Sequence, residues 1–302
     1  MDGTDLQPVA AARTPLHEGV SALEALQTIA RDCIGQIKGC QRGLHARSPE
    51  ALHQARVALR RWRTALAVFG EILTEEGRSL QGELDWLAGE LNEARDLDVF
   101  APCLELRRRA PDADPAGLAA LGAALNEAQA RAYERAEQAL RSERARRAFW
   151  EGVRPAQASA PPGDGEPPMA RKLVARALDR RRRQLTRGGR RLGKLDAEAR
   201  HTLRIRAKKA RYAAELFGEL FGHKRRQRRF TLALKDLQDS LGELNDIHVG
   251  GSVAQSLARQ AGLAEAGFEA GLIVGARACR EAMLMERAGK AYARLAAVDR
   301  FW

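Results

Sequence analysis

His53-Gln-Ala-Arg56-Val-Ala-Leu-Arg60-Arg61-Trp-Arg63-Thr-Ala-Leu-Ala-Val-Phe69 and His201-Thr-Leu-Arg204-Ile-Arg-Ala-Lys208-Lys209-Ala-Arg211-Tyr-Ala-Ala-Glu-Leu-Phe217 are near-copies of one another. His, Arg, a basic pair, Arg and Phe recur in the same order, displaced by 201 − 53 = 148 residues. A repeat of about half the 302-residue chain divides it into two similar halves. A weaker pair supports the register: Leu91-Asn-Glu-Ala-Arg95-Asp96-Leu97-Asp98-Val99 matches Leu241-Gly-Glu-Leu-Asn245-Asp246-Ile247-His248-Val249, displaced by 246 − 96 = 150. The two displacements differ by a short insertion in one loop.

What has been duplicated is a row of positive charge. With His53 at 0° on an α-helix, Arg56 falls at about −60°, Arg60 at about −20° and Arg63 at about −80°. Ala55, Leu59, Trp62, Leu66 and Phe69 occupy the other side, the arc expected to face a core. The second copy repeats this with His201, Arg204, Lys208 and Arg211 on the stripe and Leu203, Ala207, Ala210, Ala214 and Phe217 opposite. A solvated helix intersperses acid at i,i+4 to relieve like-charge repulsion, and the stretch from His53 to Phe69 contains none. Such a stripe calls for an external anion. A third row, Lys172, Arg176, Arg180, Arg183 and Arg187, precedes the second copy. The less periodic Arg180–Arg183 and His223–Arg229 runs suit either a solubilising surface or ligand contact.

Composition sets the class. Apolar residues make up 45% of the chain. Ala, Leu, Arg and Glu dominate over β-branched residues, so an all-α protein is expected. The formal net charge is +12, and residues 171–229 hold 22 Lys or Arg against 5 acids. That segment is therefore +17 and the remainder −5, a concentration that points to a polyanionic partner. Four scattered cysteines, Cys33, Cys40, Cys103 and Cys279, show no metal or disulfide spacing and suit a reducing cytoplasmic setting. Neither a secretory leader nor a membrane-spanning run is expected.

Residues 154–169, with five prolines, read as a linker. Four helices are expected before it, near 16–44, from Ser48-Pro49, 79–109 and 116–150. Four more are expected after it, near 170–191, 196–221, 224–261 and 264–298. The first half thus spans 16–153 and the second 170–298.

The two histidines invite a metal, but no carboxylate or thiol completes a ligand set beside them and the neighbouring cations repel one. No Ser or Cys nucleophile or paired carboxylate recurs next to them, and there is no phosphate-cradling Gly-rich loop, so the chain reads as a non-enzyme without cofactor. Asp96 and Asp246 read as capping or helix-break residues, the alternative being a salt bridge that orients a stripe arginine. Sparse aromatics, 5% of residues, disfavour single-stranded nucleic acid. Sequence-independent duplex binding stays open as an alternative.

The His-x-x-Arg-x-x-x-basic-basic-x-Arg pairs, with the Arg95-Asp96 and Asn245-Asp246 segments, resemble the CHAD family, the conserved histidine α-helical domain, over about residues 16–298. The resemblance implies two four-helix bundles related by a pseudo-twofold, with a basic central surface or pore that binds inorganic polyphosphate and targets the protein to polyphosphate granules. Carried over by position, the ligand residues would be His53, Arg56, Arg60, Arg61 and Arg63, then His201, Arg204, Lys208, Lys209 and Arg211, with Lys172, Arg176, Arg180 and Arg183 from the preceding helix. Some relatives carry a phosphoanhydride-hydrolysing tunnel domain marked by a Glu-x-Glu-x-Lys strand, which this chain lacks. Thr28 and Asp32 stand at the repeat partners of Arg176 and Arg180, so the first half is expected to grip less tightly.

Overall fold

The computed structural model describes residues 15–154 and 168–302, and within them the chain is all-α, with no β-strand. Six helices come from the first half: α1 (Ala22–His45), α2 (Pro49–Val68), α3 (Glu75–Glu90), α4 (Asn92–Arg108), α5 (Pro115–Arg141) and α6 (Glu143–Val153). Five come from the second: α7 (Ala170–Gly188), α8 (Ala197–Phe217), α9 (Lys224–Ala261), α10 (Ala264–Ala278) and α11 (Glu281–Ala297). Most of the expected linker, residues 155–167, lies outside the described residues, as do residues 1–14.

Local chemistry explains why eleven helices stand where eight were expected. Ser21 caps α1 in a reciprocal box with Glu24, which starts the helix later than Leu16. The expected 79–109 helix begins at Glu75, where the Thr74 hydroxyl accepts the Gly77 amide, and divides at Leu91. The expected 116–150 helix divides at Ser142, which is extended and accepts the Ala145 amide at 3.1 Å to start α6. The last one divides at Cys279 and Arg280. By contrast, the 38-residue α9 runs unbroken over the span that corresponds to α3 and α4. Ser48 and Pro49 open α2 as expected.

Both apolar arcs are buried. Ala55, Leu59, Trp62, Leu66 and Phe69 of α2 are fully covered, as are Leu203, Ala207, Ala210, Ala214 and Phe217 of α8. They belong to one hydrophobic core that runs through both halves. Trp62 packs on Phe149, and Gly152 passes so close to its indole that a Cβ there would overlap the ring. Phe69 and Phe217, equivalent residues of the repeat, meet edge-on at 5.3 Å. The halves are further tied by a buried ion pair, Arg107 to Glu269 at 2.6 Å, whose carboxylate also accepts the Asp114 amide at 2.8 Å. Backbone bonds join Ala22 to Pro168 and Ala170 to Val20. With the arcs turned into this core, the charged stripes of α2 and α8 face each other across the join.

Candidate anion-binding cleft

The facing stripes enclose a cleft of about 500 Å³ between α2, α3, α4, α7, α8 and α9. Eight cations line it: Arg56, Arg60, Arg63, Arg95, Arg181, Arg204, Lys208 and Lys209. His53 stands beside them, and the lining holds three carboxylates, Asp85, Asp96 and Asp246. Asp85 is neutralised by an ion pair with Arg63.

Crowded, partly desolvated cations carry the mark of their surroundings. Burial, reinforced by Arg204, Arg60, Arg56 and Arg63, lowers Lys208 to about 8. Burial brings Arg181 down to about 10 with help from Arg180, and it also lowers Arg56 and Arg60. His53 is held below its ordinary value by burial and then by Arg95, which favours the neutral ring. Burial raises the Asp96 carboxyl, against the pull of Arg56, and Asp246 raises it further. Every one of these shifts except those at Asp96 disfavours positive charge, and an anion placed in the cleft would reverse them.

Tyr212 organises the floor. The Arg60 guanidinium lies 4.0 Å above its ring, with Arg211 at 5.1 Å and Lys208 at 6.0 Å. The aromatic face is thereby covered by cations, of which Arg60 and Lys208 line the cleft. Arg56 Nη1 donates to the Leu91 carbonyl at 3.0 Å and to Asn92 Oδ1 at 2.7 Å. Arg204, its counterpart on α8, makes no hydrogen bond or ion pair among the described residues.

Several residues expected in the site stand elsewhere. Lys172, Arg176, Arg180 and Arg183 are exposed on α7 and do not line the cleft, and Glu71 lies 3.9 Å from Arg176 and 3.4 Å from Arg180. Arg181 of the same helix enters instead. It follows Val174, Ala177 and Leu178 and precedes Leu185 on the buried face, so an arginine interrupting an apolar stripe was the available signal. Arg61 lines a smaller neighbouring pocket of about 170 Å³ with Asp32, Glu215 and Glu219, and its Nη1 is buried without a hydrogen bond. His201 is exposed outside the cleft, with Nδ1 2.9 Å from Asn245 Oδ1. Arg211 is held against Tyr212 and lies 3.7 Å from Glu215. Asp96 lies inside α4 and Asp246 inside α9, so neither caps a helix. Arg95 and Asp96 sat in the quoted repeat, but only the fold shows that they line the cleft.

Among the described residues no group of three or more His, Cys, Asp or Glu is arranged to hold a metal, and no helix is long and apolar enough to cross a membrane. All four cysteines are free thiols, and burial pushes Cys33 up to about 12 and Cys40 to about 11.

Comparison with known proteins bears on this arrangement. The crystal structure of the CHAD domain from the plant Ricinus communis matches with a TM-score of 0.80 and 29% identity, covering 98% of each chain. PptA from Streptomyces chartreusis shares the fold, with a TM-score of 0.66 and 20% identity over 91% of this chain and all of its own. No curated protein matches in sequence. The family model for the CHAD domain matches residues 28–255, which contain both charged stripes and every cation of the cleft, and the chain belongs to the CHAD-domain family.

Proposed function

We propose that the protein binds inorganic polyphosphate, without turning it over, in the cleft between α2 and α8. The observation that carries this reading is the lining itself, eight cations against three carboxylates in about 500 Å³, contributed by both halves of the repeat. Arginine forks and lysine ammonium groups donate charge-assisted hydrogen bonds to phosphoryl oxygens, and polyphosphate presents one such group per link. A cleft of about 500 Å³ suits a thin chain of phosphates better than a base-paired duplex. Tyr212, the aromatic side chain of the lining, is occupied by Arg60, which leaves no open platform for base stacking. The lining has no Ser or Cys, and its threonine, Thr64, donates its hydroxyl to the Arg60 carbonyl at 2.7 Å, which supports holding over hydrolysis. Cytoplasmic association with polyphosphate granules follows from the same reading.

Competition tests it. Long-chain polyphosphate is expected to displace duplex DNA or RNA at about physiological salt, where screening sets in beyond about 8 Å. A wide margin in favour of duplex would establish a nucleic-acid-binding protein instead. Phosphate release on incubation with polyphosphate and Mg²⁺ would establish an enzyme.

A further inference from the structure

Two carboxylates sit where a polyanion would lie. Asp96 and Asp246, repeat partners, line the cationic cleft and are close enough that Asp246 disfavours the charge on Asp96. Neither caps a helix. Orienting a guanidinium does not account for Asp96 either, because it accepts no hydrogen bond among the described residues. Arg56, Arg95 and Arg204, from α2, α4 and α8, act on it through the field alone. Arg56 is meanwhile held by the Leu91 carbonyl and the Asn92 amide oxygen. A half-buried carboxylate beside a second acid is unfavourable in isolation. The surrounding arginines offset that cost only in part, so the charge is held at a net cost.

We propose that Asp96, backed by Asp246, is a repulsive element built into the cleft that sets which anions can enter it. This rests on the polyphosphate reading of the cleft. In the empty cleft the two carboxylates stand among the cations of both walls. When a phosphate enters, the same charges repel it. A single phosphate meets that repulsion with few compensating contacts, whereas a linked chain engages cations on both sides of the pair. The repulsive element thus discriminates by valence, an instance of selectivity achieved by penalising the wrong ligand.

The near-isosteric Asp96→Asn variant separates this from other roles. In ligand-free protein at neutral pH its melting midpoint is expected to rise, because the fold no longer carries the cost of a buried carboxylate. Affinity for sodium tripolyphosphate is expected to rise about three- to fivefold, as for removal of one partly screened like charge. Affinity for long-chain polyphosphate is expected to rise less, so the preference for the long chain narrows. Asp246→Asn should act in the same direction and serves if the first variant does not fold. Weaker binding of both probes would overturn the proposal in favour of an orienting carboxylate. Mg²⁺ that tightens binding to the wild type but not to Asp96→Asn would overturn it in favour of a metal bridge. If the wild type binds neither probe, the ligand reading fails and the selectivity with it. The ligand-free melting midpoint then still shows whether the Asp96 charge is held at a cost.

Discussion

At matched positions the two halves hold their charges in opposite ways. In the first, Arg56 is anchored to Asn92 and to the Leu91 carbonyl at the break between α3 and α4, while His53 lies near Arg95. In the second, Gly242 replaces Asn92 within the unbroken α9, and Arg204 makes no hydrogen bond or ion pair among the described residues. There His201 takes Asn245, which stands where the first half has Arg95. On the first wall Arg63 is also paired with Asp85, and on the second Lys208, the counterpart of Arg60, is surrounded by cations. One motif therefore builds a braced wall on α2 and an open wall on α8. Braced cations need less reorganisation to bind, and open ones gain more from an arriving anion.

Removing the centre of both walls should have the largest effect. Arg60→Ala combined with Lys208→Ala is expected to weaken polyphosphate binding by about 100-fold or more, since each charge-assisted bond contributes about 1.5–3 kcal/mol. Helicity by circular dichroism should be retained, because neither residue lies on the buried arcs. Loss of helicity would move both residues into the core.

Next come the single counterparts. Arg204→Ala should lower affinity by about tenfold with little change in melting, and Arg56→Ala should lower affinity less and the melting midpoint more. The reverse order would break the contrast between braced and open walls.

Titration gives a smaller and smoother effect. Lys208, depressed to about 8, is charged below that pH, so affinity should fall as pH rises through about 8. Lys208→Arg, which stays charged, should abolish the fall. Stability runs the other way: the unfolded chain keeps this proton to higher pH, so the burial penalty present below about 8 is relieved as pH rises through it. Binding calorimetry and thermal melts between pH 7 and 9 read both.

Exchanging the partners should shift matters least. Gly242→Asn has open space for the new side chain and offers Arg204 an oxygen like the one Arg56 has. It should lower affinity up to about threefold. Asn92→Ala should cost about 1 kcal/mol of stability by removing one hydrogen bond to Arg56. Equal affinity changes in both variants would show that the walls do not differ.

Much of this was legible in the chain. The 3.6-residue period separated the buried arcs of α2 and α8 from their charged stripes, and the break at Ser48-Pro49 was plain because capping is local. Depth was not legible. Arg180 and Arg183 keep the stripe's spacing yet point to solvent, and Arg181 reaches the cleft, because packing of α7 sets its rotation and periodicity alone does not. Arg61 and His201 fell outside the cleft for the same reason: a sequence stripe spans about a third of a helix, and a wall uses only its inner edge. Of the divisions in the expected long helices, the one at Ser142 carries a side-chain cap, whereas those at Leu91 and at Cys279 and Arg280 carry none and so left no local signal. The exposed basic turns at Lys224, Arg225, Arg226, Arg228 and Arg229 lie outside the cleft, at the start of α9.

A crystal structure of the protein with long-chain polyphosphate tests the shared cleft most directly. Phosphate density is expected within hydrogen-bonding distance of Arg60, Arg204 and Lys208, bending around Asp96 and Asp246. Phosphates on the outer face of α7 or on the first turns of α9, with the cleft empty, would contradict it.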